Sequence, residues 1–182
     1  MKTGRLSKIL GLALIPALSV CSVYAAPQEK TIGVQSAIEQ LKDFNMQYSP
    51  SGRSDGKPDP RTIKRDQIVK ALRADHKKSV PALAKALKDS NVQLRRNASL
   101  ILGEFAGVFG DAKEDISLAV PALAEAVNDS DFNVRVWSMG ALKAIGPAAE
   151  SALPALETAL KDKDKAVRVN AKAAIKSIKV EK

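Results

Sequence analysis

The chain has 182 residues, with 29 Lys and Arg against 20 Asp and Glu and a net charge of +9. That is one domain's length on the usual scale of roughly 100–200 residues per domain. Aromatic residues are only 4% of the chain while 45% is hydrophobic, which favours helices packed through small aliphatic side chains over a β-sandwich.

Lys2, Arg5 and Lys8 precede an apolar run from Ile9 to Val20 and the small-residue stretch Val23-Tyr24-Ala25-Ala26. That order is the pattern of a secretory signal peptide, expected at residues 1–25 and cleaved after Ala25. An uncleaved anchor and a lipoprotein signal presenting Cys21 are the alternatives. The run is short for a spanning helix and contains Pro16, and Val20 is bulky where lipoprotein signals carry Gly, Ala or Ser. Cleavage leaves 26 of the 29 Lys and Arg against 20 Asp and Glu, a net +6, and removes the only cysteine. A domain at 26–182 without cysteine has no disulfide, thiolate metal site or cysteine nucleophile. The expected location is periplasmic or secreted, with no membrane insertion after cleavage.

The first predicted helix runs from Ile32 to about Tyr48, with Ile38, Leu41 and Phe44 on one face. The segment at 49–59, rich in Ser, Gly, Pro and Asp, reads as a mobile loop. Three later segments then align without a gap, opening at Val80-Pro81-Ala82-Leu83, Val120-Pro121-Ala122-Leu123 and Leu153-Pro154-Ala155-Leu156. Each Pro is followed after eight residues by an Asp (Asp89, Asp129, Asp162) and after six more by an Arg (Arg95, Arg135, Arg168). A recurring unit of this length decides architecture before local propensity does.

Each unit reads as two antiparallel helices. The Pro belongs in the first turn of the first helix, where its missing N–H costs nothing, and the Asp-rich segment supplies turn and capping oxygens. The second helix buries the residue before the Arg and those three, six and seven after it: Val134, Ser138, Ala141 and Leu142 in one unit, Val167, Ala171, Ala174 and Ile175 in the next. A weaker early copy has Asp59 six residues before Arg65, with Ile68, Ala71 and Leu72 on the same offsets. The expected fold is all-α, a short α-solenoid of about four antiparallel helical hairpins at roughly 32–74, 77–107, 117–147 and 150–179, stacked on a shared core.

The Pro-Ala-Leu opening, the Asp turn, the aliphatic-Arg pair and the exit Ala144-Ile145-Gly146-Pro147 resemble the HEAT-repeat family over about residues 59–178. The resemblance implies a ladder between adjacent units built from Asp89, Asp129, Asp162 and Arg95, Arg135, Arg168. A residue recurring in every unit also most economically serves stacking, which every unit does. In solenoids of this kind the second helices line the concave surface.

Departures from the repeat carry the functional expectation. The second-helix positions one, four, five and eight after the Arg are expected to be exposed. They place Val136, Met139 and Leu100 in an apolar centre bordered by Lys70, Arg73, Arg96, Lys143 and Lys176. Trp137, the only tryptophan, stands where the other units have Gln67, Asn97 and Asn170. It reads either as partial core or as an interface anchor. The insertion Gly107–Asp115 reads as a longer loop whose Asp115 caps the next helix, or as a binding edge.

Asp129, Asp131 and Asn133 mimic the opening of an EF-hand, but Val134 and Gly140 occupy its required Gly and Glu positions, so no metal site is expected. His76 lies in the polar link Asp75-His76-Lys77-Lys78 without a catalytic constellation, and no cofactor is expected. The sequons Asn97-Ala98-Ser99 and Asn128-Asp129-Ser130 are chance matches unless the source glycosylates exported proteins. The expected function is a non-catalytic module binding a peptide or protein segment on the second helices. A nucleic-acid or polyanion binder is the alternative from charge. A lyase resembling HEAT-like bilin lyases is disfavoured by the missing cysteine and acid/base cluster.

Overall fold

Apolar stripes separated by aspartate turns fold into helical pairs. The computed structural model describes residues 32–46, 59–108 and 113–179, all within the unit Thr31–Lys182. The expected signal peptide at 1–25, and the expected loop up to residue 58, lie outside the described residues. Among the described residues every element is helical: α1 (Val34–Gln40), α2 (Pro60–Ala74), α3 (His76–Ala86), α4 (Val92–Val108), α5 (Lys113–Ser117), α6 (Val120–Ala126), α7 (Phe132–Ile145), a 3-10 stretch (Gly146–Ala152), α8 (Leu153–Ala159) and α9 (Lys165–Ile178). The fold is a short α-solenoid of helical hairpins. Helices α1 with α2, α3 with α4, α6 with α7 and α8 with α9 pair, and α4, α7 and α9 pack side by side.

The turns are built by one device. Asp89, Asp129 and Asp162 each accept a hydrogen bond at 2.8 Å from the backbone N–H two residues on, at Asn91, Asp131 and Asp164. The residue so positioned begins the second helix. Asn91 Oδ1 accepts from the Leu94 amide, and Asp131 Oδ1 from the Asn133 and Val134 amides, caps of about 1 kcal/mol each. The core lies beneath the offsets the repeat marks: Leu94, Ala98, Ile101 and Leu102 of α4 and Val134, Ser138, Ala141 and Leu142 of α7 are buried.

Four details differ from the sequence reading. Pro121 and Pro154 do open α6 and α8, but Pro81 lies inside α3, which starts at His76 under an Asp75 cap. A helical turn also precedes the other two prolines, as α5 and as the 3-10 stretch, so the first layer of each unit starts before its proline. Asp115 lies within α5 and pairs with His76 Nε2 at 3.0 Å, tying the insertion to α3 instead of capping the next helix. Helix α1 ends at Gln40 and does not continue to Tyr48, although Ile38, Leu41 and Phe44 are buried. Its end is fixed by Asn97 of α4, a fully buried amide that donates to the carbonyls of Leu41 and Phe44 and accepts from the Met46 amide. Leaving the helix lets the segment 41–46 present these groups to Asn97.

Arginines join the layers. Arg95 donates from Nε and Nη2 to both Asp129 oxygens, at 2.8 and 3.1 Å, and from Nη1 to the carbonyls of Asp89 and Ser90. Arg135 repeats the Nη1 bonds with Asp129 and Ser130. It divides its fork between Asp162, at 3.2 Å, and Asp164, at 2.6 Å. Arg96 adds a second bidentate pair, to Asp131. The first rung is different: Arg65 of α2 pairs with Glu104 of α4, not with Asp89. A fork fixed this way is a bidentate partner that Lys could not imitate.

Two outcomes follow. Replacing Asn97 with Ala orphans two buried carbonyls and one amide, and is expected to cost about 1–3 kcal/mol, with amide exchange in 32–46 accelerated more than in α7. The Arg96 guanidinium, aided by the Asn133 and Val134 amides and opposed by burial, lowers the pKa of Asp131. Its folded value thus lies below the unfolded value of about 3.9. The stabilisation is present above about pH 4 and is lost as pH falls through the folded value. Asp131→Asn, which keeps a capping oxygen, is expected to melt lower than wild type at pH 7, with the difference narrowing below pH 4.

Candidate functional site

Packing of α4 against α7 divides the second-helix face into a buried seam and an exposed depression. The position four after the Arg falls in the seam: Val69, Ser99 and Met139 are all buried, Met139 completely. Met139 is therefore a core residue and not part of a partner-binding face, because a second helix in this stack meets neighbours on two sides. Arg96 is committed to Asp131 across the α4–α7 junction, so it serves as a rung and not as a charge turned toward a partner.

Leu100, Val136 and Trp137 come together. All three are half-buried, and with Gly103, Glu104 and Gly140 they line a depression of about 370 Å³ between α4 and α7, which Asn170 of α9 closes on one side. A second hollow of about 300 Å³ adjoins it at Glu104 and is lined by Arg65, Asp66, Val69, Lys70 and Arg73. Lys70 and Arg73 thus stand in a neighbouring hollow. Lys143 and Lys176 are exposed on α7 and α9 and line neither. Glu104 and Asn170 line the site without having been marked by the repeat. Glu104 could have been suspected from its place beside Gly103, where the helix loses a side chain.

The glycines shape the floor. A Cβ at Gly103 would meet Ala141 at 3.7 Å, ordinary contact where α4 and α7 approach closely. A Cβ at Gly140 would meet nothing within 4 Å. Gly140 therefore carries the cost of glycine in a helix interior, about 1 kcal/mol, with no packing need for it. Trp137 lines the depression together with these glycines and is half-buried.

Among the described residues no three His, Cys, Asp or Glu converge as metal ligands. Asp129 and Asp131, the opening of the EF-hand likeness, are bound to Arg95 and Arg96. Among the described residues, no helix is long and apolar enough to cross a membrane.

This architecture defines an α-solenoid repeat protein. Residues 113–179 match the HEAT-repeat family. Twenty solved chains are similar, among them the crystal structure of an engineered protein, with a TM-score of 0.56 and 20% identity over 78% of this chain. The match covers 62% of that engineered protein, so this chain spans less than two thirds of its length. No curated protein matches the chain. The likeness to HEAT repeats thus lies in residues 113–179, and HEAT repeats generally mediate protein interactions.

Gly140→Ala is expected to raise stability by about 0.5–1 kcal/mol in chemical denaturation while narrowing the depression. Unchanged or lower stability would mean that the glycine is required by the fold.

Proposed function

We propose that this protein is an exported, non-catalytic scaffold of the periplasm or extracellular space that holds a peptide or protein segment in the α4–α7 depression. The observation that carries this reading is Trp137 beside Leu100 and Val136, half-buried over a floor opened by Gly140. Trp is enriched among interface hot spots, residues whose truncation costs about 2 kcal/mol or more once a partner has desolvated them. Small residues around a large one make a seat for an inserted apolar side chain. Lys143 on α7 and Lys176 on the neighbouring α9 are exposed and would steer acidic groups of the segment toward it.

Export rests on the amino-terminal pattern of basic residues, apolar run and small-residue exit. The polyanion reading is weakened by pairing, since Arg65, Arg95, Arg96 and Arg135 are all bound to carboxylates of neighbouring layers. Cations engaged in this way release few counterions on meeting a phosphate chain.

A photocrosslinker at position 137 in intact cells, followed by identification of the attached protein, supplies the partner. With that partner purified, Trp137→Ala is expected to weaken binding at least about tenfold, or roughly 1.4 kcal/mol, at moderate salt and with melting unchanged within a few degrees. A folded Trp137→Ala protein that binds its partner as wild type does would overturn the assignment. Salt-sensitive retention on a phosphate polymer that persists in this variant would favour the polyanion reading.

A further inference from the structure

The arginine ladder has a direction. At the two junctions where it forms, Arg95 to Asp129 and Arg135 to Asp162, the turn carboxylate faces the preceding unit and the guanidinium the following one, so the register leaves an arginine at the last described unit. At the first end Asp59 stands in the register of Asp89, and its side chain accepts from the amide two residues on. Its carboxylate is closed off by Arg61, which donates from Nε at 3.1 Å and Nη2 at 3.0 Å. Nothing comparable closes the last end among the described residues.

There Arg168 donates from Nη1 to the carbonyls of Asp162, at 2.7 Å, and Lys163, at 2.9 Å. These are the same two bonds that hold Arg95 and Arg135. So held, its Nε and Nη2 edge takes the direction in which those two arginines meet the next layer's carboxylates. Asp162 and Asp164 are drawn back onto Arg135, which strips acid from the outer side and leaves Lys165 and Lys172 beside Arg168. The apolar face is equally unfinished. Leu160 is 40% exposed, whereas Leu87 and Val127, its counterparts six residues after the unit's proline, are covered at 3% and 0%. Val169 is 58% exposed. The four residues Leu160, Val169, Lys165 and Lys172 line, with Arg168, a depression of about 380 Å³.

We propose that this end face docks an acidic helical hairpin of a partner protein, whose inter-helix turn sets a carboxylate on the Arg168 fork while an apolar helix covers Leu160 and Val169. The occupant's charge follows from the basic rim, and its shape from what the same register accepts at the two internal junctions. A second copy of the chain is a poor fit, because its first-end aspartate is already held by Arg61. The proposal does not rest on the α4–α7 depression.

The test places a photocrosslinker at exposed Lys172 of the full chain in intact cells and maps the attached peptide by mass spectrometry. The expected adduct lies in a helical segment next to an Asp- or Glu-bearing turn of another protein. Its yield should fall at least about tenfold with Val169→Glu and with Arg168→Gln, and persist with Trp137→Ala, which separates this face from the other. Val169→Glu alters a residue already in water, so equal melting of that variant and wild type excludes unfolding as the cause. Adducts no more abundant than from a crosslinker at Lys85 on α3, adducts to a second copy, or a yield indifferent to Val169→Glu would each overturn the proposal.

Discussion

The structure depends on an arginine that is held by its own turn before it reaches for the next layer. Nη1 of Arg95, Arg135 and Arg168 satisfies two carbonyls of the preceding turn, groups a tight turn otherwise leaves to solvent. The bond therefore serves the unit by itself and also fixes where the rest of the guanidinium points. A pair between long, mobile side chains on the surface contributes little, because ordering them offsets the attraction. Here the ordering is already done, and the Arg95–Asp129 side chains are only 14% and 11% exposed. Removing either partner would strand the other, which is why the pair matters more as a constraint on stacking than as a sum of attraction.

The intervals Pro to Asp to Arg made this much legible before any coordinates. A residue type that returns at fixed spacing marks an equivalent place, and the offsets counted from the arginine locate the core in α4, α7 and most of α9. What repeated within one helix was readable; what depended on the neighbouring layer was not. Met139 illustrates the limit. Helical periodicity puts it opposite the core of its own hairpin, yet α7 packs between α4 and α9, so the position is buried by a neighbouring unit. Arg96 fails the same way, since only the next turn's Asp131 turns an exposed cation into a rung. Asn97 carries no periodic signal at all: its value comes from a non-helical segment more than fifty residues away.

The site was partly legible for a related reason. Trp137, Val136 and Leu100 could be grouped because each departs from its sister positions, and departure from a repeat is visible in one sequence. Glu104 and Asn170 could not, since they join the depression through the way α4 and α9 lie beside α7. Gly140 is the most informative of the set in physical terms. A sequence consistent at every level would fill a helix interior with a better former, and the open space above Gly140 shows that packing does not forbid one. The fold tolerates a local cost at the place where Leu100, Val136 and Trp137 line a surface depression.

That place is also where the stack is braced most strongly. Between the second and third units two bidentate pairs cross, Arg95 to Asp129 and Arg96 to Asp131, whereas the third and fourth are joined by one arginine divided between Asp162 and Asp164, because Val136 replaces the second arginine. The α4–α7 junction that floors the depression is thus tied on its far side by four directed hydrogen bonds, and Gly103 brings the two backbones close on the near side. A recognition surface gains affinity when its shape does not have to be assembled on binding, and side chains on helices keep their positions better than side chains on loops. Substituting Val136 for an arginine removes one brace from the following junction and in the same step supplies an apolar wall to the depression. One residue change in a repeat thus converts a structural position into a lining position, while the brace one unit earlier keeps the floor rigid.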